Sequence, residues 1–237
     1  FRSINQHTVI VNSIFAVFEK IHSKVFMEQG KKPQSSTVLL TTGGTIAGWA
    51  AQADAQTHYQ AGALAGQALL AGLPPAVAHL PVLVDDFARI NSKDADSRFW
   101  WQLYQRLQAH LADDAVAAMV ITHGTDTLEE TAYLLDRILA PSKPVVLTGA
   151  MRPNSDPTWD GAANLTAAVR VAAATQTRDC GVLVVFHNEI LIGRDATKRH
   201  SDDPTTFGSR DGGRLGLVER EVVRLDAHPS PPTHVLT

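Results

Sequence analysis

The chain has 237 residues, 44% of them hydrophobic and 19% charged, with a net charge of -3 at pH 7, enough to bury the core of one globular domain with extensions. That balance leaves no basic stripe for a phosphate backbone, so no nucleic acid is expected as a partner and a small molecule is the default ligand. A single cysteine, Cys180, excludes an internal disulfide, and the ten histidines show no metal-ligand spacing; no metal or other cofactor is expected.

In chain order, the first apolar stretch, Thr8 to Phe18, is broken by Asn12 and Ser13 and runs on into Glu19, Lys20 and Lys24. It falls short of the roughly 20 apolar residues that span a bilayer, so no membrane partner is expected. It also lacks the small-residue cleavage site of a secretory signal, which points to the cytoplasm, with the periplasm as the alternative. Ile10, Ile14, Val17, Phe18, Ile21 and Val25 follow helical spacing, predicting an amphipathic helix in an extension, 1–36, outside the domain. The chain opens with Phe1, and Met27 precedes an ordinary polar tail; residues 1–26 are therefore read as foreign to the domain.

From residue 37 short β-rich runs alternate with longer helical ones. Strands are predicted at 37–42, 81–86, 115–122, 144–148 and 181–186, and helices at 97–111, 128–140 and 162–175. Near-continuous apolar strands separated by helices predict an α/β fold, a doubly wound and mostly parallel sheet with helices on both faces, over 37–220. After 192 the pattern dissolves into Gly, Arg and Asp, and the proline-rich 221–237 reads as the start of an interdomain linker.

Such sheets bind ligands beyond the carboxyl ends of their strands. The first strand runs into Thr42-Gly43-Gly44-Thr45-Ile46-Ala47-Gly48, where paired glycines allow a sharp turn that presents the Thr45 hydroxyl. A plain turn and a nucleophile both fit, whereas dinucleotide and Walker fingerprints do not. After the third strand comes His123-Gly124-Thr125-Asp126-Thr127-Leu128-Glu129. Asp126 can cap the following helix with Glu129 completing a capping box, or the Thr125–Asp126 pair can hold an amino group or an oxyanion. Gly149 and Ala150 after the fourth strand would let a substrate approach the backbone, and Asp160 reads as an N-cap. Lys198 and Tyr59 are ambiguous between surface or packing roles and chemistry.

Together these segments resemble the bacterial-type L-asparaginase family over residues 37–220. TGGTIAG (42–48) and HGTDTLEETA (123–132) match its two recognition motifs, and GAMRP, DG-x-x-NL (160–165) and GRDATK follow in order. The TIAG form resembles the type II, often exported subgroup. The resemblance implies catalytic roles for Thr45, Tyr59, Thr125, Asp126 and Lys198, with Thr45 as nucleophile and Tyr59 on a mobile lid. It implies substrate contacts from Ser92, Lys93, Thr125, Asp126 and Ala150, with L-asparagine or L-glutamine as substrate. It further implies a homo-oligomer, a homotetramer, in which a neighbour's C-terminal domain completes each site; that domain is absent from this sequence.

The chemistry suits those residue types, because a threonine hydroxyl needs a neighbour to take its proton as it attacks an amide carbonyl. A lysine is a base only when neutral, which an adjacent aspartate opposes. Lys198 is therefore read as orienting Thr125, and Asp126 as binding the α-ammonium group. Lys93 beside Ser92 adds a positive charge where many members have glutamine or glutamate, bearing on asparagine against glutamine selectivity. Three other readings remain: a glutaminase-asparaginase or glutamine-dependent amidotransferase subunit, a non-catalytic amino-acid-binding fragment, and a nucleotide enzyme, against which the failed phosphate fingerprints count.

Overall fold

The computed structural model describes residues 35–50, 59–227 and 229; of the extension expected at 1–36, residues 1–34 and the helix expected there lie outside the described residues, and Ser36 already opens the first strand. Five strands form the parallel part of the main sheet: β1 (Ser36–Gly43), β2 (Val82–Ile90), β3 (Val116–Thr122), β4 (Val145–Thr148) and β5 (Val182–Phe186). Three more, β6 (Glu189–Ile192), β9 (Gly216–Glu219) and β10 (Val222–Leu225), extend it antiparallel, giving the order β10-β9-β6-β5-β4-β3-β1-β2. β7 (Ala196–Lys198) and β8 (Phe207–Ser209) pair separately as a two-stranded sheet.

Alternation along the strands explains the layering. Leu39, Val120, Val146, Leu183 and Val185 face one core, while Val38, Leu40, Met119, Ile121, Val145, Leu147 and Val184 face the other. Successive side chains of a strand point to opposite faces, so a strand covered on both sides must be apolar throughout. The first core is closed by α1 (Gly66–Ala71), α2 (Pro75–Ala78) and α5 (Gly161–Ala173) through Leu69, Val77, Leu165 and Val169. The second is closed by α3 (Ser97–Ala112) and α4 (Leu128–Leu139) through Phe99, Leu103, Leu107, Leu128 and Leu135. Asp96 starts α3 by accepting a hydrogen bond from Phe99 N–H at 2.8 Å, a side-chain cap for an otherwise orphan amide.

The parallel strands run 2-1-3-4-5, so the winding direction reverses between β1 and β3, the crevice where this topology binds ligands. Two sequence expectations change. The region after 192, read as patternless, contains β7 to β10, whose three or four residues are too short to show a period. The expected linker opens with β10, an edge strand of the main sheet, and residues 228 and 230–237 lie outside the described residues.

Candidate active site

The loops leaving β1 and β3 meet face to face at the reversal point. Gly43 and Gly44 turn with φ of 105° and 75°, a left-handed region that only glycine enters freely. A Cβ on Gly44 would lie 2.4 Å from Gly124 Cα, and one on Gly124 would lie 2.5 Å from Ser92 Oγ. Glycine at both positions therefore lets the two loops touch, and that contact brings Thr45 and Thr125 into one cleft.

The cleft, about 420 Å³, is lined by Thr45, Tyr59, Ser92, Thr125, Asp126 and Lys198, together with Met151, Arg152, Ser201 and Asp202. On one wall Thr45 Oγ1 and Tyr59 Oη share a hydrogen bond of 2.7 Å. On the other, Lys198 Nζ donates to Thr125 Oγ1 at 2.9 Å and to Asp126 Oδ1 at 3.0 Å. The Thr125 hydroxyl is buried and accepts from an ammonium, so its own proton is free to point elsewhere. Asp126 keeps 58% of its side chain exposed, which leaves carboxylate surface for a cationic ligand group.

Ser92 is bound into the same loop system. Its hydroxyl accepts from Asp126 N–H at 3.2 Å, and its carbonyl accepts from the Thr127 hydroxyl at 2.8 Å. Because Ser92 Oγ accepts from the backbone, its proton remains available to a ligand carboxylate. Lys93 stands exposed outside the lining residues, with its backbone N–H directed at Asn91 Oδ1. Ala150 is buried in the first core, and its neighbours Met151 to Pro153 line the cleft instead.

Under the β3 loop, His123 is fully buried. Its Nδ1 lies 2.8 Å from Gly124 O and its Nε2 lies 3.1 Å from Thr131 Oγ1, which accepts from Trp100 Nε1 at 2.9 Å. The Gly124 carbonyl can only accept, so Nδ1 carries a proton, and because burial disfavours the charged ring Nε2 is left to accept from the Thr131 hydroxyl. Burial pushes its pKa down to about 4, against a smaller opposing effect of the Gly124 hydrogen bond.

Two carboxylates have other partners than their spacing suggested. Asp126 and Glu129 do not form a capping box: the N-cap of α4 is Thr127, without a side-chain cap, and Glu129 reaches across to Thr197 and Lys198 of β7. Asp160 occupies the N-cap position of α5 but does not cap it. Its carboxylate accepts from Met151 N–H and Arg152 N–H at 2.9–3.1 Å and from Asn164 Nδ2 at 3.1 Å, holding the loop after β4. Asn164 in turn donates to Gly149 O. Helical spacing cannot announce such reach, which spans elements; the proximity of DG-x-x-NL to GAMRP was the one available signal.

A family model described as "Asparaginase, N-terminal" matches residues 36–231. The chain is 36% identical over 192 residues to L-asparaginase 2 of Bacillus subtilis, covering 81% of this chain and 51% of that protein. It is 39% identical over 191 residues to a probable periplasmic L-asparaginase of Haemophilus influenzae, covering 81% and 54%. Against a glutaminase-asparaginase of Pseudomonas fluorescens identity is 40% over 189 residues, covering 79% and 52%. Among solved structures, a probable cytoplasmic L-asparaginase from Campylobacter jejuni superposes with a TM-score of 0.79 at 35% identity, over 83% of this chain and 60% of that one. The chain spans about half the length of the curated relatives it matches. Among the described residues no helix is long and apolar enough to cross a membrane.

Proposed function

This chain belongs to the asparaginase N-terminal family, and from that membership we propose that it supplies the catalytic half of an amidohydrolase converting L-asparagine and water to L-aspartate and ammonia. The observation that carries this reading is the opposition, in one cleft, of the Thr45–Tyr59 hydroxyl pair and the Thr125–Lys198–Asp126 triad. Asp126 and Ser92 take the α-ammonium and α-carboxylate groups and so set the side-chain amide between the two walls. Thr45 Oγ attacks the amide carbon as its proton passes to Tyr59 Oη, and the Tyr59 hydroxyl proton passes on in turn to the departing nitrogen, so that the C–N bond breaks with release of ammonia and Tyr59 ends as it began. The ester left on Thr45 is then hydrolysed by water at the Thr125 wall, releasing aspartate and restoring the Thr45 hydroxyl. General-base assistance and oxyanion stabilisation are each worth about 10²-fold or more, so both walls are needed.

The test is ammonia release from L-asparagine, beside Thr45→Ala. The expected result is turnover that drops by about 10³-fold or more with the nucleophile gone; equal rates in both chains would sink the nucleophile, and no release from either would sink the activity of this chain. A second reading, dual action on glutamine, is favoured by the 40% identity to a glutaminase-asparaginase and is decided by the ratio of the two turnover rates. The exposure of Asp126 on the open side of the cleft fits a homo-oligomer in which a neighbouring subunit covers the site. Relatives named periplasmic and cytoplasmic leave both compartments open for this protein.

A further inference from the structure

The lysine of the site stands on β7, outside the main sheet, so something else must hold it in register with Thr125. Arg199 N–H donates to Thr206 O across the small sheet. Alternate amides of a strand point to opposite sides, which turns Lys198 N–H away from β8 and leaves it without a ladder partner. That amide meets a carboxylate: Glu129 Oε2 accepts both from Lys198 N–H and from the Thr197 hydroxyl, the latter at 2.9 Å, while Glu129 Oε1 faces Arg210 Nη2 at 3.7 Å.

We propose that Glu129 is a positioning residue for the reaction, clamping the Lys198 backbone to the helix start that carries Thr125 and Asp126. This rests on the assignment of Lys198 to the catalytic site above. Glu129 lies in the first turn of α4, directly after the loop holding Thr125 and Asp126. Lys198 is thereby fastened to one rigid unit twice, through its backbone N–H at Glu129 and through Nζ at Thr125 and Asp126. A lysine stem has four rotatable bonds and many rotamers, and fixing both ends confines Nζ to one approach on Thr125. A carboxylate suits the task better than an amide, because one charged oxygen accepts two donors while the other faces a guanidinium.

The experiment compares the unaltered chain with Glu129→Ala, Glu129→Gln and Glu130→Ala. Glu130 is an exposed neighbour in the same helical turn, so its removal controls for the loss of negative charge at the helix start. A reacting group displaced by about 1 Å costs on the order of 10²-fold. That fall in kcat is expected for Glu129→Ala, a smaller one for Glu129→Gln, which keeps one acceptor, and none for Glu130→Ala. The KM and the aspartate Kd should stay within about threefold, since Ser92 and Asp126 are untouched. Unchanged kcat in Glu129→Ala overturns the proposal, as does a fall matched by equal losses of aspartate affinity and melting temperature, which would mark a purely structural role. If the unaltered chain releases no ammonia, the functional reading fails separately and the clamp is read from hydrogen exchange at the Lys198 amide. Exchange accelerated in Glu129→Ala and not in Glu130→Ala supports it; equal exchange in all chains refutes it.

Discussion

At the scale of single residues the most consequential buried group is His123. It is enclosed and neutral, held between Thr131 and the Gly124 carbonyl, and its pKa falls from 6.5 to about 4 through burial. In the unfolded chain the same imidazole takes up a proton near pH 6.5, whereas in the folded chain it does so only near pH 4. The folded state is therefore favoured in full above pH 6.5 and loses ground as pH falls toward 4, by a total on the order of 3 kcal/mol. Urea unfolding at pH 7 and at pH 4.5 should show this loss, and His123→Gln should show a shallower dependence over the same window. Parallel slopes in the two chains would assign the acid sensitivity to other groups. Thr45, Thr125 and Asp126 drew attention because each lies in a motif at the end of an apolar strand, whereas Tyr59 and Lys198 follow no such strand and stood out only through the family resemblance. The partners of Glu129 were not legible, since the local capping pattern matched and nothing in residue spacing reveals a contact 69 positions away.

At the scale of elements, β1, β3, β4 and β5 and helices α3 to α5 fall within two residues of their sequence-based bounds, because two-sided burial makes the strands continuously apolar and the helices keep one apolar stripe. The elements beyond β5 escaped notice for a physical reason. Their hairpins turn at His187–Asn188 and Arg220–Glu221, all with positive φ, without the glycine that normally marks such turns. Asp160 likewise shows an element-level role that its position disguised, joining the start of α5 to the loop after β4. Removing its carboxylate strands Met151 N–H and Arg152 N–H, and each such unmet donor costs about 1–3 kcal/mol where water cannot replace it. Asp160→Ala should accordingly lose about 2–4 kcal/mol in denaturant unfolding, while Asp160→Asn, which keeps one acceptor oxygen, should lose less. Equal stability of Asp160→Ala and the parent would mean that solvent satisfies those amides.

For the whole molecule, the site exists only when the sheet is assembled. Thr45 follows β1, Ser92 follows β2, Asp126 follows β3 and Lys198 sits on the small sheet beside α4, so no short segment of unfolded chain presents more than one wall of the cleft. An amino acid that binds here must then bind the folded state alone, and its binding free energy adds directly to stability. At a free aspartate concentration of 100 times Kd the gain is about 2.7 kcal/mol. For a domain of this size that corresponds to a rise in melting temperature of roughly 5–10 °C. The chain and Thr45→Ala should both show the rise, because the proposed nucleophile contributes little to holding the product's two charged ends. Asp126→Ala should lose it, because the α-ammonium group then has no carboxylate to meet. Stabilisation that survives in Asp126→Ala would place the amino group elsewhere in the cleft. Its absence in all three chains would mean that this half of the relatives' length does not hold the amino acid alone, and that the β1–β3 crevice needs a further wall before it binds.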